Sequence, residues 1–355
     1  MITVKQLVRL ARFCIRLLLP CLLAGGGLAG CTEEVPVSNQ EPGQPVLISI
    51  SNRALYADTP GEQVNTLRIL LVNPGNIDRT VVCNRFVSSP SAPLLVQVVG
   101  GKYDIYVVAN EMPDGTEFAA LQNVRNLAAL KQIALPYSPG NRDMTNIPML
   151  GKVANVGIIP PAGEPSTTNL AQVTVAGEAT GTTLPVSLTR MACKVKLTLK
   201  HSNGTLKSVE FNNLPDAIPL FEDTYIEPST RPVKTLEIGS FNNVGSSDPL
   251  YSTVVEQADI LLPSWVFSEK ENSSNAVQLK ATITEGTTDV PPYSCAIGHA
   301  AGSSNNPKDY TLWRNTDYTL TALINNNTVT VGATVTSWSD QSLSLEDDKP
   351  VIPAP

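Results

Sequence analysis

Aromatic residues make up only 5% of this 355-residue chain, and histidine occurs just twice, at His201 and His299. Two histidines leave little from which to build a Ser/His/Asp relay or a zinc centre, and neither stands in an HExxH or GxSxG motif. Gly25-Gly26-Gly27 lies in a targeting segment, so no glycine-rich phosphate loop is available either. Positive charge is also short: the net charge of −7 argues against a nucleic-acid footprint, which is basic. Beyond Cys31 the cysteines are Cys83, Cys193 and Cys295, an odd number with no close pair, so neither a disulfide framework nor a CxxC metal knuckle is indicated. They are expected to be small buried hydrophobes, with at most one bridge among them. No cofactor or metal is expected and the chain is not read as an enzyme. A glycosidase built from two carboxylates at strand ends is the catalytic alternative left open.

What is present begins with a secretory signal. Lys5, Arg9, Arg12 and Arg16 precede the apolar run Leu17 to Ala24, which is too short for the roughly 20 residues that span a bilayer. Leu28-Ala29-Gly30-Cys31 resembles the bacterial lipobox. Residues 1–30 are therefore a lipoprotein signal peptide, set aside from fold reasoning, and Cys31 is the site of lipidation, carrying diacylglycerol and palmitate. Thr32-Glu33-Glu34 resembles the surface-export signal of Bacteroidales lipoproteins, which places the precursor at the outer membrane.

The span 31–53 reads as a lipid-anchored propeptide. Thr32 to Pro45 is polar and proline-bearing, an extended tether with nothing to bury. Val46-Leu47-Ile48-Ser49-Ile50 then reads as a strand, with Val46, Ile48 and Ile50 on one face. Burying three such side chains contributes about 5 to 9 kcal/mol, comparable with the net stability of a domain. Arg53-Ala54 directly after it is a trypsin-like cut site, so the strand reads as removable. The folded precursor should hold it as a central or groove-filling strand. Arg68, Arg79 and Arg85 are rival cut sites, Arg68 lying inside a predicted strand.

Val, Thr, Ile, Asn, Gly and Pro dominate the remainder, the bias of many short strands and turns. Strands are predicted at Thr66 to Val72, Leu94 to Val99, Tyr103 to Ala109, Gln172 to Val175, Leu184 to Leu188 and Cys193 to Lys200. Further ones follow at Ser208 to Phe211, Ala258 to Leu262, Gln278 to Thr284, Thr316 to Ile324 and Val329 to Trp338. A single helix is predicted over Thr116 to Leu130, with Phe118, Leu121, Val124 and Leu127 or Leu130 on one face and Asp114 or Thr116 as its cap. The fold class is all-β with a minor helix: two antiparallel β-sandwich domains in tandem, residues 54–190 and 191–338, followed by a tail, 339–355.

Pro45 to Ala54 with Leu67 to Asn73, Ile105 to Asn110, Ile147-Pro148-Met149, Arg190 to Val195, Asn315 to Tyr318 and Val335 to Trp338 together resemble the fimbrillins, the major fimbrial subunit family (type V pilins) of Bacteroidales. The resemblance implies transthyretin-like sandwiches and a lipoprotein precursor that an Arg-specific surface protease cuts after Arg53. Loss of the strand Val46, Leu47, Ile48 and Ile50 opens a groove that the C-terminal segment of another subunit fills. The implied product is a homo- or heteropolymeric cell-surface fimbrium, with host or bacterial adhesion ligands as possible partners and the membrane touched only through the precursor's lipid.

The tail departs from an ideal donor strand. Leu343 and Leu345 alternate only briefly before Glu346-Asp347-Asp348-Lys349 and three prolines, and proline suits only the end or edge of a ladder. Either the donor is short, Ser339 to Leu345 with Val351 and Ile352 beyond it, or this subunit donates poorly and sits at a tip. The other reading is a monomeric surface lipoprotein that keeps Cys31 and binds glycan or peptide. Trp265, Trp313 and Trp338 are expected in packing rather than as a sugar platform, Glu346 to Asp348 as a solvated tail rather than a calcium site, and His201 at a turn surface.

Overall fold

A computed structural model describes residues 45–51, 63–91, 94–113, 115–137, 144–221, 233–238, 242–243, 250–251, 253–264, 275–290, 292–298, 310–325 and 328–337, all of them in the unit Asn39–Pro355. Cys31, Arg53, Ala54, Asp114, Trp265, His299, Trp338 and the tail with Leu343, Leu345, Glu346 to Asp348, Val351 and Ile352 lie outside the described residues, as do the side chains of Val46, Leu47, Ile48 and Ile50.

The β-branched runs pair into strands nearly throughout, and the fold is all-β. The first half holds β1 (Pro45–Ser51), β2 (Leu67–Val72), β3 (Val81–Val87), β4 (Leu94–Val99), β5 (Gly101–Ala109), α1 (Thr116–Gln122), α2 (Leu127–Lys131), β6 (Ala134–Pro136), β7 (Met149–Ile159), β8 (Gln172–Val175), β9 (Glu178–Gly181), β10 (Thr183–Pro185) and β11 (Leu188–Arg190). The second holds β12 (Ala192–His201), β13 (Thr205–Pro215), β14 (Ala217–Pro219), β15 (Val233–Ile238), β16 (Asn242–Asn243), β17 (Thr253–Pro263), β18 (Gln278–Glu285), β19 (Thr288–Asp289), β20 (Tyr293–Ala296), β21 (Thr316–Asn325) and β22 (Thr328–Ser337).

In the first half a sheet ordered β3-β2-β5-β7-β8-β9, with β11 beside β7, lies against a small sheet ordered β10-β1-β4. Ile69, Leu71, Val96, Val98, Ile105, Val107, Val173 and Leu184 fill the space between them. Leu70, Val72, Tyr106 and Val108 point the other way, into a core with Leu121, Val124, Leu127 and Leu130 of the helical segment. Covered on both faces, β2 is buried at every residue, Arg68 included. In the second half the sheets β16-β17-β12-β21-β22 and β15-β13-β18-β19, with β20 beside β18, share a core of alternating residues such as Val195, Leu197, Leu199, Phe211, Ile283 and Leu320.

Strand pairing passes between the halves only at the ribbon of β6 and β14 among the described residues. Tyr137 N–H donates to the Asp216 carbonyl at 2.7 Å and Leu220 N–H to that of Ile133 at 2.8 Å. Tyr106 meets Phe221 edge to face at 5.7 Å, and one apolar core runs through both sides of this seam.

Four expectations need correction. The helix is broken: α1 ends at Gln122, Asn126 caps α2 by accepting from Ala129 N–H at 2.8 Å, and the link between them pairs with Arg79 to Val81 instead of continuing the turn. Gly115, not Thr116, is the α1 N-cap. The strand predicted over Leu184 to Leu188 is two strands in different sheets, because Pro185 has no N–H to carry a ladder onward. His201 is fully buried as the last residue of β12 rather than lying on a turn. The sandwiches are mostly antiparallel as expected, with parallel pairings of β1 with β10 and β12 with β21.

Candidate assembly site

The alternation of Leu94-Leu95-Val96-Gln97-Val98-Val99 turns Leu94, Val96 and Val98 into the core and leaves Gln97 and Val99 exposed. Against this edge β1 runs antiparallel with Val46 opposite Val98, Ile48 opposite Val96 and Ile50 opposite Leu94. Directly opposed residues share a sheet face, so backbone positions 46, 48 and 50 lie on the core side. The other edge of β1 runs parallel to β10, with Ile50 beside Leu184, itself buried. Ser49 N–H donates to the Thr182 carbonyl at 3.3 Å.

β1 is thus the middle strand of its sheet and the ladder partner of both neighbours. Without it β4 would lose six opposed residues and β10 three, leaving a slot one strand wide with two raw edges. Neither wall, Leu94–Val99 or Thr183–Pro185, carries an ionisable side chain. The slot can therefore be held only by main-chain hydrogen bonds and apolar contact. In sequence Arg53 stands two residues past the end of β1.

Of the rival arginines, Arg68 is the fully buried one. Arg68 is buried on β2, its Nε and Nη2 donating to Glu111 Oε2 and Oε1 at 2.7 and 2.6 Å. Its Nη1 donates to Asn84 Oδ1 at 2.6 Å and Gln122 Oε1 at 2.9 Å. The guanidinium carbon lies 5.4 Å and 5.1 Å from the ring centres of Phe86 and Phe118. Burial pushes the Glu111 carboxyl above its usual value while Arg68 pulls it back. Arg79 pairs with the buried Asp104 at 2.5 Å, and Arg85 is paired on β3 opposite Ile69.

No disulfide joins Cys83, Cys193 and Cys295 to one another among the described residues. Cys193 is fully buried and burial drives its thiol upward, while Cys83 and Cys295 are only half-buried, less enclosed than expected. Trp313 is half-buried, with its backbone N–H donating to Tyr318 Oη at 2.9 Å. Among the described residues no group of three His, Cys, Asp or Glu is arranged to hold a metal ion.

Sequence reasoning missed Ser49. It is 6% exposed, on the face of β1 turned away from positions 48 and 50. The available signal was a small polar residue in the middle of an apolar strand, which reads as solvent-facing but here is covered.

No family model and no curated protein matches the sequence. Solved structures do resemble the fold. The C-terminally truncated tip fimbrial protein Mfa3 from Porphyromonas gingivalis matches with a TM-score of 0.54 at 17% identity, over 83% of this chain and 100% of that one. A fimbrilin from Porphyromonas gingivalis matches with a TM-score of 0.50 at 14% identity, over 84% of this chain and 98% of that one. The chain has the fold of these Bacteroidales fimbrial proteins.

Proposed function

We propose that the chain is a structural subunit of surface fimbriae, exported as a lipoprotein anchored through Cys31 and added to the fibre by strand exchange. Arg-specific cleavage between Arg53 and Ala54 detaches β1 together with the lipid, and a strand from another subunit enters the vacated slot. The subunit has no catalytic role in this reading. The observation that carries it is the position of β1: the first described strand, next to the proposed cut, sits between β4 and β10 and is the ladder partner of each. β-strand addition supplies main-chain hydrogen bonds for affinity and alternate side chains for register. The fold shared with a tip fimbrial protein and a fimbrilin supports the same reading.

Incubating the full precursor with an Arg-specific protease tests this. The expected product begins at Ala54 by mass spectrometry and forms ladders that resist SDS, and Arg53→Ala abolishes both. A cell-surface form that begins at acylated Cys31 and stays monomeric would replace this reading with a monomeric, ligand-binding lipoprotein.

A further inference from the structure

The backbone register of β1 puts positions 48 and 50 on the side of Val96, Leu94 and the buried Leu184, and Ser49 on the opposite side. Ser49 is nevertheless 6% exposed, while its ladder neighbours Leu95 and Thr183 are half-buried, so the outer face is covered at this one position. In sequence the core-side positions 48 and 50 are apolar and the covered position 49 is small. The N–H at position 49 is also in use, bonded to the Thr182 carbonyl.

The tail contains a matching triplet: Leu343-Ser344-Leu345 repeats the apolar-small-apolar order of Ile48-Ser49-Ile50. Resting on the exchange reading above, we propose that the slot selects its occupant by a small residue at the centre, and that the tail of a second copy seats Leu343, Ser344 and Leu345 at positions 48, 49 and 50.

Other placements fail on the same geometry. Moving Leu345 to position 48 puts Glu346 at the covered position 49 and Asp347 on the core side at 50, burying two carboxylates with no cation in either wall. Moving Leu343 to position 50 leaves Gln341 at 48. Reversing the strand keeps the triplet but brings Asp347 to core-side position 46, where the forward direction brings the uncharged Gln341. Any placement of Val351 or Ile352 at 48 or 50 puts Pro350, Val351, Ile352 or Pro353 at 49. A branched side chain overfills that position, and a proline has no N–H for Thr182. The second apolar pair of the tail is therefore not the part that seats.

The test uses the full precursor, cut after Arg53 and confirmed to begin at Ala54, with SDS-resistant ladders as readout. Ser344→Ala should ladder like the unaltered chain, and Ser344→Leu should reduce the ladder about tenfold or more. Leu343→Ser with Leu345→Ser should abolish it, and Val351→Ser with Ile352→Ser should leave it unchanged. Uncut Ser344→Leu should melt with the unaltered precursor, which separates a seating defect from a folding defect. A full ladder from Ser344→Leu, or one lost on altering Val351 and Ile352, overturns the register and leaves strand exchange standing. No ladder from the unaltered cut protein overturns both.

Discussion

β1 and β12 are built on one plan and differ in the length of their ladders. Each opens its half of the molecule, and each lies between an antiparallel neighbour and a parallel one: β4 and β10 for β1, β17 and β21 for β12. β12 pairs nine residues on each side and buries Cys193, Val195, Leu197, Leu199 and His201. β1 pairs six residues on one side and three on the other. The same central position carries two nine-residue ladders in β12 and one short ladder in β1. On the proposed reading, that difference is what lets β1 leave once the chain is cut after Arg53.

The largest effect that would break this comparison concerns β1 itself. Cutting after Arg53 and stripping the freed segment should remove about 5 to 9 kcal/mol of apolar stabilisation from the first half. Hydrogen exchange should then quicken along β4 and β10 while β17 and β21 keep their protection. Uniform quickening in both halves would mean that β1 is no more separable than β12.

A smaller effect should be blind to the slot. Arg68 lies on the face of β2 covered by α1, away from the small sheet, and Arg68→Ala strands the buried Glu111 carboxylate. A cost of about 3 to 5 kcal/mol is expected, read from urea midpoints and the same before and after β1 is removed. A cost that shrinks on cleavage would show that the two layers of the first half stand or fall together.

The smallest is a pH effect confined to β12. Burial lowers the His201 pKa, the Asn203 carbonyl partly opposing it, so the unfolded chain binds the proton more tightly than the folded one. Stability should fall as pH drops below the usual histidine value toward the lowered one. His201→Gln should flatten that slope in urea titrations at pH 7.5 and 5.5, whereas an unchanged slope would assign the effect to other groups.

The sequence reveals elements whose pattern is local. Leu94 to Val99 and Gln172 to Val175 have the limits their side-chain alternation predicts. β7 escaped because Gly151, Asn155 and Gly157 interrupt its pattern; Asn155 takes φ +57, and its N–H is held by the buried Asp104 at 3.0 Å, a contact 51 residues away. The apolar alternation of β1 was legible, and so was the expectation that it would occupy a central place. The burial of Ser49 was not, since a small polar residue in an apolar strand reads as solvent-facing. His201 misled because the Ser202-Asn203-Gly204 turn is local, while the core beneath it is not.

The ribbon of β6 and β14, with Tyr106 packed on Phe221 across the same seam, has a mechanical consequence. In a fibre where each subunit is gripped through its first half and grips the next beyond its second, every pull along the axis crosses that seam. Its two hydrogen-bonded strands and shared apolar filling would carry the tension from one joint to the next, so stretching should open the halves of a subunit before it draws the strand from its neighbour only if that seam is the weaker link.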